Sequence, residues 1–318
     1  MITTVTLNPA IDCVVRVKEL KPGTLNRVME EAVFPGGKGV NVSLVLNELG
    51  EDTCCCGFLA GATGKAYEAM LEERGLKYRF QFLENGFTRI NTKVSAVEET
   101  EINGAGPVPD WEDVDRLCEK LEKLVADDFL VLSGNVPASI KGAYAYILNK
   151  MSSCGVQPVV DVTGEELKKT LPYHPFLIKP NREELEDLFN VRIETRDEVK
   201  YYAKEMQKMG ARNVLVSMGA DGMILLTQDD QIFYAEGVKG KIANTVGAGD
   251  SSVAGFLAGW KQTHSWTSAL RLAAAAGTAT AFTYGTADGG IYEKQCKKNQ
   301  HRCAGRYFGW NFADHSYL

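Results

Sequence analysis

The chain has 318 residues, 45% of them hydrophobic and 24% charged, and a formal net charge of −6, which describes a soluble globular protein with ample length for a core. This mild acidity argues against a generalised nucleic-acid or membrane surface. No apolar run approaches the roughly 20 residues that span a bilayer, and MITTVTLNPAID lacks the basic start and apolar stretch of a secretory signal, so the expected location is the cytoplasm.

Residues 13–34 (CVVRVKELKPGTLNRVMEEAVF) are rich in β-branched residues in alternation and read as antiparallel strands. PGGKGVNVSLVLNELG, at 35–50, predicts a loop entering a helix whose apolar face is Val42, Val45, Leu46 and Leu49. Gly36, Gly37 and Lys38 offer backbone N–H groups and one ammonium to a polar or phosphorylated ligand. A glycine-rich turn with a solvated lysine explains the same residues. The segment is not a Walker A loop, because Lys38 is followed by Gly39 and position 32 is not glycine. GFLAGATGKA at 57–66 misses that motif as well.

DTCCCGFLAG reads as a buried strand in which Cys54, Cys55 and Cys56 serve as small apolar residues. Adjacent cysteines point to opposite faces of a strand and cannot easily share one metal. With no CxxC pair anywhere, reduced structural thiols are expected. Residues 87–103 return to β-type alternation, and with 13–34 they predict a small sheet that leans over a main domain. On a strand at 88–94, Arg89, Asn91 and Lys93 project to one face, and Thr88, Ile90, Thr92 and Val94 to the other. Two cations and an amide on one face suit a sugar phosphate; a solvated strand face is the alternative.

From about residue 110, apolar runs (FLVLSG, PVVDVTG, FLIKPN, NVLVSMG) alternate with amphipathic stretches such as DWEDVDRLCEKLEKL and REELEDLF. That alternation predicts βαβ units around a parallel sheet with helices on both faces. Ligands of such sheets bind beyond the carboxyl ends of the strands. In KPNREEL, Asn181 and Glu184 have a spacing that would reach a hydrated Mg²⁺. A helix cap by Asn181 with Glu184 three positions later explains that spacing without metal.

NTVGAGDSSV, at 244–253, places Gly247-Ala248-Gly249 and then Asp250 before a run of small and apolar residues that predicts a tightly packed helix. Small residues at a helix start let a phosphate approach unpaired N–H groups. Read alone, the stretch favours Asp250 as a helix N-cap. After Gly290 no helical or strand period remains; Cys296, His301, Cys303 and His315 match no zinc spacing.

Together PGGKGVN, TRINTK, KPNREE and NTVGAGD resemble the PfkB, or ribokinase-like, family of carbohydrate kinases, over nearly the whole chain to about residue 290. The resemblance implies a three-layer α/β/α sandwich with a mostly parallel central sheet and a small β-sheet lid. Residues 1–12, 35–86 and 104–290 would form the core and 13–34 and 87–103 the lid, which commonly also builds a homodimer interface. It implies ATP and Mg²⁺ as cofactors and a small sugar phosphate as partner, with no nucleic acid and no membrane.

TLNPAID, TRINTK, TEINGAGP and VLSGNVP look most like the branch that phosphorylates fructose 1-phosphate at C6, with tagatose-6-phosphate kinases as close relatives. A broader hexose-phosphate kinase, or a sugar-phosphate sensor without catalysis, remains as an alternative. By resemblance Asp250 is the catalytic base, and the amides of Gly247, Ala248 and Gly249 form an anion hole. Asp12, at the end of the first strand, holds sugar hydroxyls, and Gly36, Gly37, Lys38 and Asn41 line the sugar site. Arg89 and Lys93 take the existing phosphate, with Asn103 and Gly134 nearby. Asn181, Ser217, Gly219, Gly222 and Thr245 fit nucleotide positions, with adenine contacts near 276–279, and Glu184 acts on Mg²⁺ through water. Asn244 stands where the family often has Asp. The residues at 291–318 replace the helix with which relatives usually finish, and read as a frameshifted or artificially joined end rather than a functional module.

Overall fold

A computed structural model describes residues 1–237 and 246–282. The chain opens with β1 (Ile2–Thr6), β2 (Ala10–Arg16), β3 (Glu30–Gly36), α1 (Lys38–Glu48), β4 (Thr53–Ala60), α2 (Gly61–Glu73) and β5 (Lys77–Leu83). A hairpin of β6 (Arg89–Ser95) and β7 (Glu99–Asn103) follows, then α3 (Trp111–Leu121), β8 (Phe129–Ser133), α4 (Ala143–Met151), β9 (Gln157–Asp161) and α5 (Gly164–Thr170). The remainder is β10 (Leu177–Ile178), α6 (Arg182–Phe189), α7 (Arg196–Lys208), β11 (Asn213–Ser217), β12 (Met223–Leu226), β13 (Ile232–Ala235), α8 (Ala248–Thr263) and α9 (Trp266–Phe282).

Nine strands form one sheet in the order β13-β12-β11-β10-β9-β8-β1-β4-β5. Pairing is parallel from β11 to β5, and β12 and β13 join antiparallel at one edge. Strand alternation sorts the core into two layers. Cys54, Cys56, Phe58, Leu130 and Leu132 pack with α3 to α7. Cys55, Leu59, Phe129 and Val131 face α1, α2, α8 and α9. This is the expected sandwich, and the three contiguous cysteines are buried as expected, on alternating faces.

The chain leaves β1 for β4 on one side and later returns to β8 on the other. That reversal opens a crevice beyond the carboxyl ends of β1 and β8. Over it stands the second sheet, ordered β3-β2-β6-β7. The early stretches were expected to be antiparallel throughout; instead β2 and β6 pair in parallel, joining two antiparallel hairpins. Asp12 was expected at the end of the first strand, but β1 stops at Thr6 and Asp12 sits inside β2 of this smaller sheet. The chain passes Pro9 between the two strands, so the sequence crosses from the large sheet to the small one earlier than the β-branched pattern suggested. Asn244, Thr245 and the segment 291–318 lie outside the described residues, as does any role assigned to them.

Candidate active site

Helix α3 closes its N-terminus with a reciprocal capping box, Asp110 with Asp113, and α7 does so with Thr195 and Glu198. Helices α1 and α8 begin differently, on Gly37 and Gly247, and no side chain caps either start. Gly247 takes a left-handed conformation with φ 78°, a backbone open to glycine at little cost. It therefore occupies the cap position, and Asp250 is not the N-cap that local preference suggests but the third residue of α8.

Asp250 is 5% exposed. Its Oδ2 accepts a hydrogen bond of 2.8 Å from Asn41 Nδ2, on the first turn of α1, so two motifs 209 residues apart meet at one carboxylate. Burial, with the nearby Asp161 carboxylate, pushes the Asp250 acid up to about 6, against the opposing pull of Asn41, Lys38 and Lys179. Lys38 is held above its usual value by Asp161 first, and also by Asp250 and Glu184, although burial works the other way. Lys38 Nζ lies 3.9 Å from Asp161 Oδ2, and Lys179 Nζ lies 3.5 Å from Asp161 Oδ1.

Lys179 is buried, and a Cβ at Gly249 would lie 3.1 Å from its ammonium. Neither Lys179 nor Asp161 was singled out from sequence. The available signal was a charge set directly against an apolar strand run, in VVD and in LIK.

On the lid side, Asp12 Oδ1 accepts from Asn91 Nδ2 at 3.0 Å and Oδ2 from Lys93 Nζ at 3.2 Å. Asn103 is the cross-strand partner of Asn91, so Asp12, Asn91, Lys93 and Asn103 share one face of the small sheet. A Cβ at Gly36 would come within 2.6 Å of Asp12 Oδ2, which explains glycine there. Gly134 faces Lys38 across the crevice, 3.6 Å from its Cβ to a Cβ built on the glycine. Arg89 turns its Nε to the Asn8 carbonyl at 3.1 Å and its Nη1 to the Gly104 carbonyl at 3.4 Å, at the root of the lid. Asn8 Oδ1 and Asn91 Oδ1 are buried acceptors with no hydrogen-bond partner, and sequence reading did not place Asn8 in the site.

Four residues expected on the nucleotide side, Asn181, Ser217, Gly219 and Gly222, also lie near one another. Asn181, beyond β10, bridges to Ser217 at the end of β11, and Gly219 and Gly222 turn the chain between β11 and β12 with φ 56° and 90°. Asn181 and Glu184 form the capping box of α6, so the capping alternative is realised in the fold. That box engages Glu184 Oε2. Asp161 Oδ2 is buried without a hydrogen-bond partner. Hard carboxylate oxygens of this kind suit Mg²⁺, as an ion held mostly by water and phosphate. Among the described residues no three His, Cys, Asp or Glu side chains are grouped to hold a metal by themselves.

Residues 5–292 match the model of the pfkB family carbohydrate kinases. The chain belongs to this family. A 1-phosphofructokinase of Bacillus subtilis is 40% identical over 284 residues, 89% of this chain and 93% of that protein. A D-tagatose-1-phosphate kinase of Bacillus licheniformis is 34% identical, covering 91% of this chain and 95% of that one. The solved structure of phosphofructokinase-2 from Escherichia coli with substrates and products superimposes with a TM-score of 0.85 at 25% identity, over 92% of this chain and 97% of that one. As a pfkB kinase the chain uses ATP on a carbohydrate. Its last 26 residues fall beyond the family match.

Proposed function

We propose that this pfkB kinase is a 1-phosphofructokinase, transferring the γ-phosphoryl group of ATP to the C6 hydroxyl of fructose 1-phosphate to give fructose 1,6-bisphosphate and ADP. The observation that carries the chemistry is the buried Asp250 carboxylate held by Asn41 where α1 and α8 begin. The choice of sugar rests on the 40% identity to the Bacillus subtilis enzyme.

In this reading Asp250 accepts the proton of the attacking hydroxyl, which must come within hydrogen-bond reach of it. The amides of Gly247, Ala248 and Gly249 face the phosphoryl oxygens, with the Lys179 ammonium close behind Gly249. Phosphoryl transfer depends mainly on such positioning and charge stabilisation. Lys38 bridges the two halves of the site and neutralises charge beside Asp161.

Asp12 and Asn41 hold sugar hydroxyls between the backbones of Gly36, Gly37 and Gly134. Arg89 and Lys93, with Asn103 nearby, take the 1-phosphate. ATP lies along Asn181, Ser217, Gly219 and Gly222, with the 276–279 stretch of α9 expected on the same side. Mg²⁺ supplies charge neutralisation between the phosphates when it is bound. Glu184 through water, and Asp161 through the oxygen that makes no hydrogen bond, are the residues that would hold it.

A coupled ADP-release assay tests the substrate. Fructose 1-phosphate is expected to give the highest kcat/KM among fructose 1-phosphate, tagatose 1-phosphate, tagatose 6-phosphate, fructose 6-phosphate and ribose. A clear preference for any other sugar removes the assignment. Preference for a tagatose phosphate would place the protein with its 34% identical relative instead.

The pH profile follows from Asp250. Its acid is raised to about 6, so the proton-accepting form is lost as pH falls through that value. Below it, kcat/KM is expected to fall about tenfold per unit. Asn41→Ala removes a donor that favours the carboxylate, so the acid limb should move to higher pH. An unmoved limb would detach it from Asp250.

The lid is proposed to pair two copies of the chain, in the cytoplasm. Register places Cys13, Val33, Thr92 and Ile102 in one cross-strand row, on the face away from Asp12. Val33 and Ile102 in that row are exposed, as is Ile90 on the same face, an apolar surface of the kind that marks an interface. No helix of the described residues is long and apolar enough to cross a membrane.

A further inference from the structure

Two side chains outside the motifs share an arrangement that recurs on opposite faces of the sheet. Tyr67, on α2, and Tyr144, on α4, are both fully buried and are the largest side chains to be so among the described residues. A buried phenol must find a hydrogen-bond partner. Tyr67 donates to the Gly36 carbonyl at 2.8 Å, and Tyr144 donates to the Ser133 carbonyl at 2.8 Å. The residue after each carbonyl is a glycine at positive φ, Gly37 at 130° and Gly134 at 97°. From sequence, Gly37 was expected to line the sugar site and Gly134 to lie near the substrate's existing phosphate.

Glycine is the residue with the most conformational freedom to lose, so each wall of the crevice is weakest at that point. A carbonyl and the N–H that follows it lie in one rigid plane and point in opposite directions. Fixing the Gly36 carbonyl into the core therefore turns the Gly37 N–H the other way and sets the start of α1. Tyr67 packs edge-on against Phe80, with ring centroids 5.9 Å apart, and belongs to the cluster of Val40, Cys55 and Leu59. Tyr144 belongs to the opposite layer, with Val5, Leu130 and Leu132. Its bond to the Ser133 carbonyl thus holds the end of β8 beneath the wall that Lys38 faces.

We propose that Tyr67 and Tyr144 are positioning residues for the transfer: from the two sides of the sheet, their phenols hold the Gly36 and Ser133 carbonyls and so set the spacing of the backbone walls around Lys38. Neither ring touches the ligand, and both act through the peptide they hold. The proposal rests on the reading that these walls bind the sugar phosphate.

Tyr67→Phe and Tyr144→Phe keep the ring and its packing and delete one hydroxyl each. With the full chain, steady-state assays varying each substrate are expected to show KM for the sugar phosphate raised about three- to tenfold and KM for ATP within about twofold of wild type. Leu71→Val, a core change on the same helix as Tyr67, should lower Tm without separating the two KM values. A sugar-phosphate KM within about twofold of wild type in both tyrosine variants, or the same split in Leu71→Val, overturns the proposal. An unchanged KM in one variant alone removes that tyrosine from the pair. Wild-type sugar preference is measured first in the same assay. If another sugar phosphate is preferred the substrate assignment falls, and the variants are then read with that sugar.

Discussion

Asp250→Asn is expected to lower kcat about a thousandfold while leaving the sugar phosphate bound within a few-fold of its wild-type affinity, since a positioned base contributes about 10²–10⁴ to rate. The change is nearly isosteric. The amide oxygen can still accept from Asn41 Nδ2, so the joint between α1 and α8 survives. What is lost is an acceptor for the hydroxyl proton.

Stability should move the other way. Burial raises the Asp250 acid to about 6, meaning that the folded protein disfavours the charged form. A neutral amide escapes that cost, which amounts to roughly 2–3 kcal/mol at neutral pH. A variant with higher Tm and almost no turnover is therefore the expected pair of results, a trade common at sites built for chemistry. Measured kcat within tenfold of wild type would end the assignment of Asp250 as base. A collapse of sugar binding with kcat preserved would instead make it a ligand.

The elements of the fold were legible because they are local. Periods of about 3.6 and 2 in DWEDVDRLCEKLEKL and TRINTKV encode which side chains share a face, and α3 and β6 form there. The glycine-rich segments were legible too, because a chain that must bare its backbone has few other residues to use. Asp250 was misread in isolation, since its N-cap preference is a property of Asp alone, whereas the cap position was taken by Gly247. Asp161 and Lys179 were missed for a different reason. Val159 pairs with Leu177 and Val160 with Ile178 in parallel register, and one further step brings the acid beside the ammonium. A parallel register between strands 18 residues apart is written in neither strand by itself. Asn8 and the tyrosines share that difficulty, as their partners are backbone carbonyls that carry no sequence signal.

Lys179→Met is expected to be the second severe change, and it separates two jobs of one ammonium. The first is structural. Asp161 is 2% exposed and keeps Lys38 at 3.9 Å as its remaining cation once Lys179, at 3.5 Å, is gone. Leaving a buried charge with no partner costs about 3–5 kcal/mol; Lys38 still compensates part of it, so Tm should fall by less than that full cost. Adding Asp161→Asn removes the stranded charge and should recover most of that loss.

The second job is chemical. Lys179 lies against Gly249, at the start of α8, where phosphoryl charge would be stabilised. Removing one such preorganised group costs about 10²–10³ in kcat. Lys179 also pulls the Asp250 acid down, so in its absence that acid rises further and the acid limb of kcat/KM moves to higher pH. These readouts are independent, because a loss of folding lowers the amount of active enzyme without moving a pH limb. Lower Tm with unchanged kcat per folded molecule, and an unmoved limb, would reduce Lys179 to a counter-ion for Asp161. A displaced limb together with a low kcat places its charge within the field that acts on the transferring group.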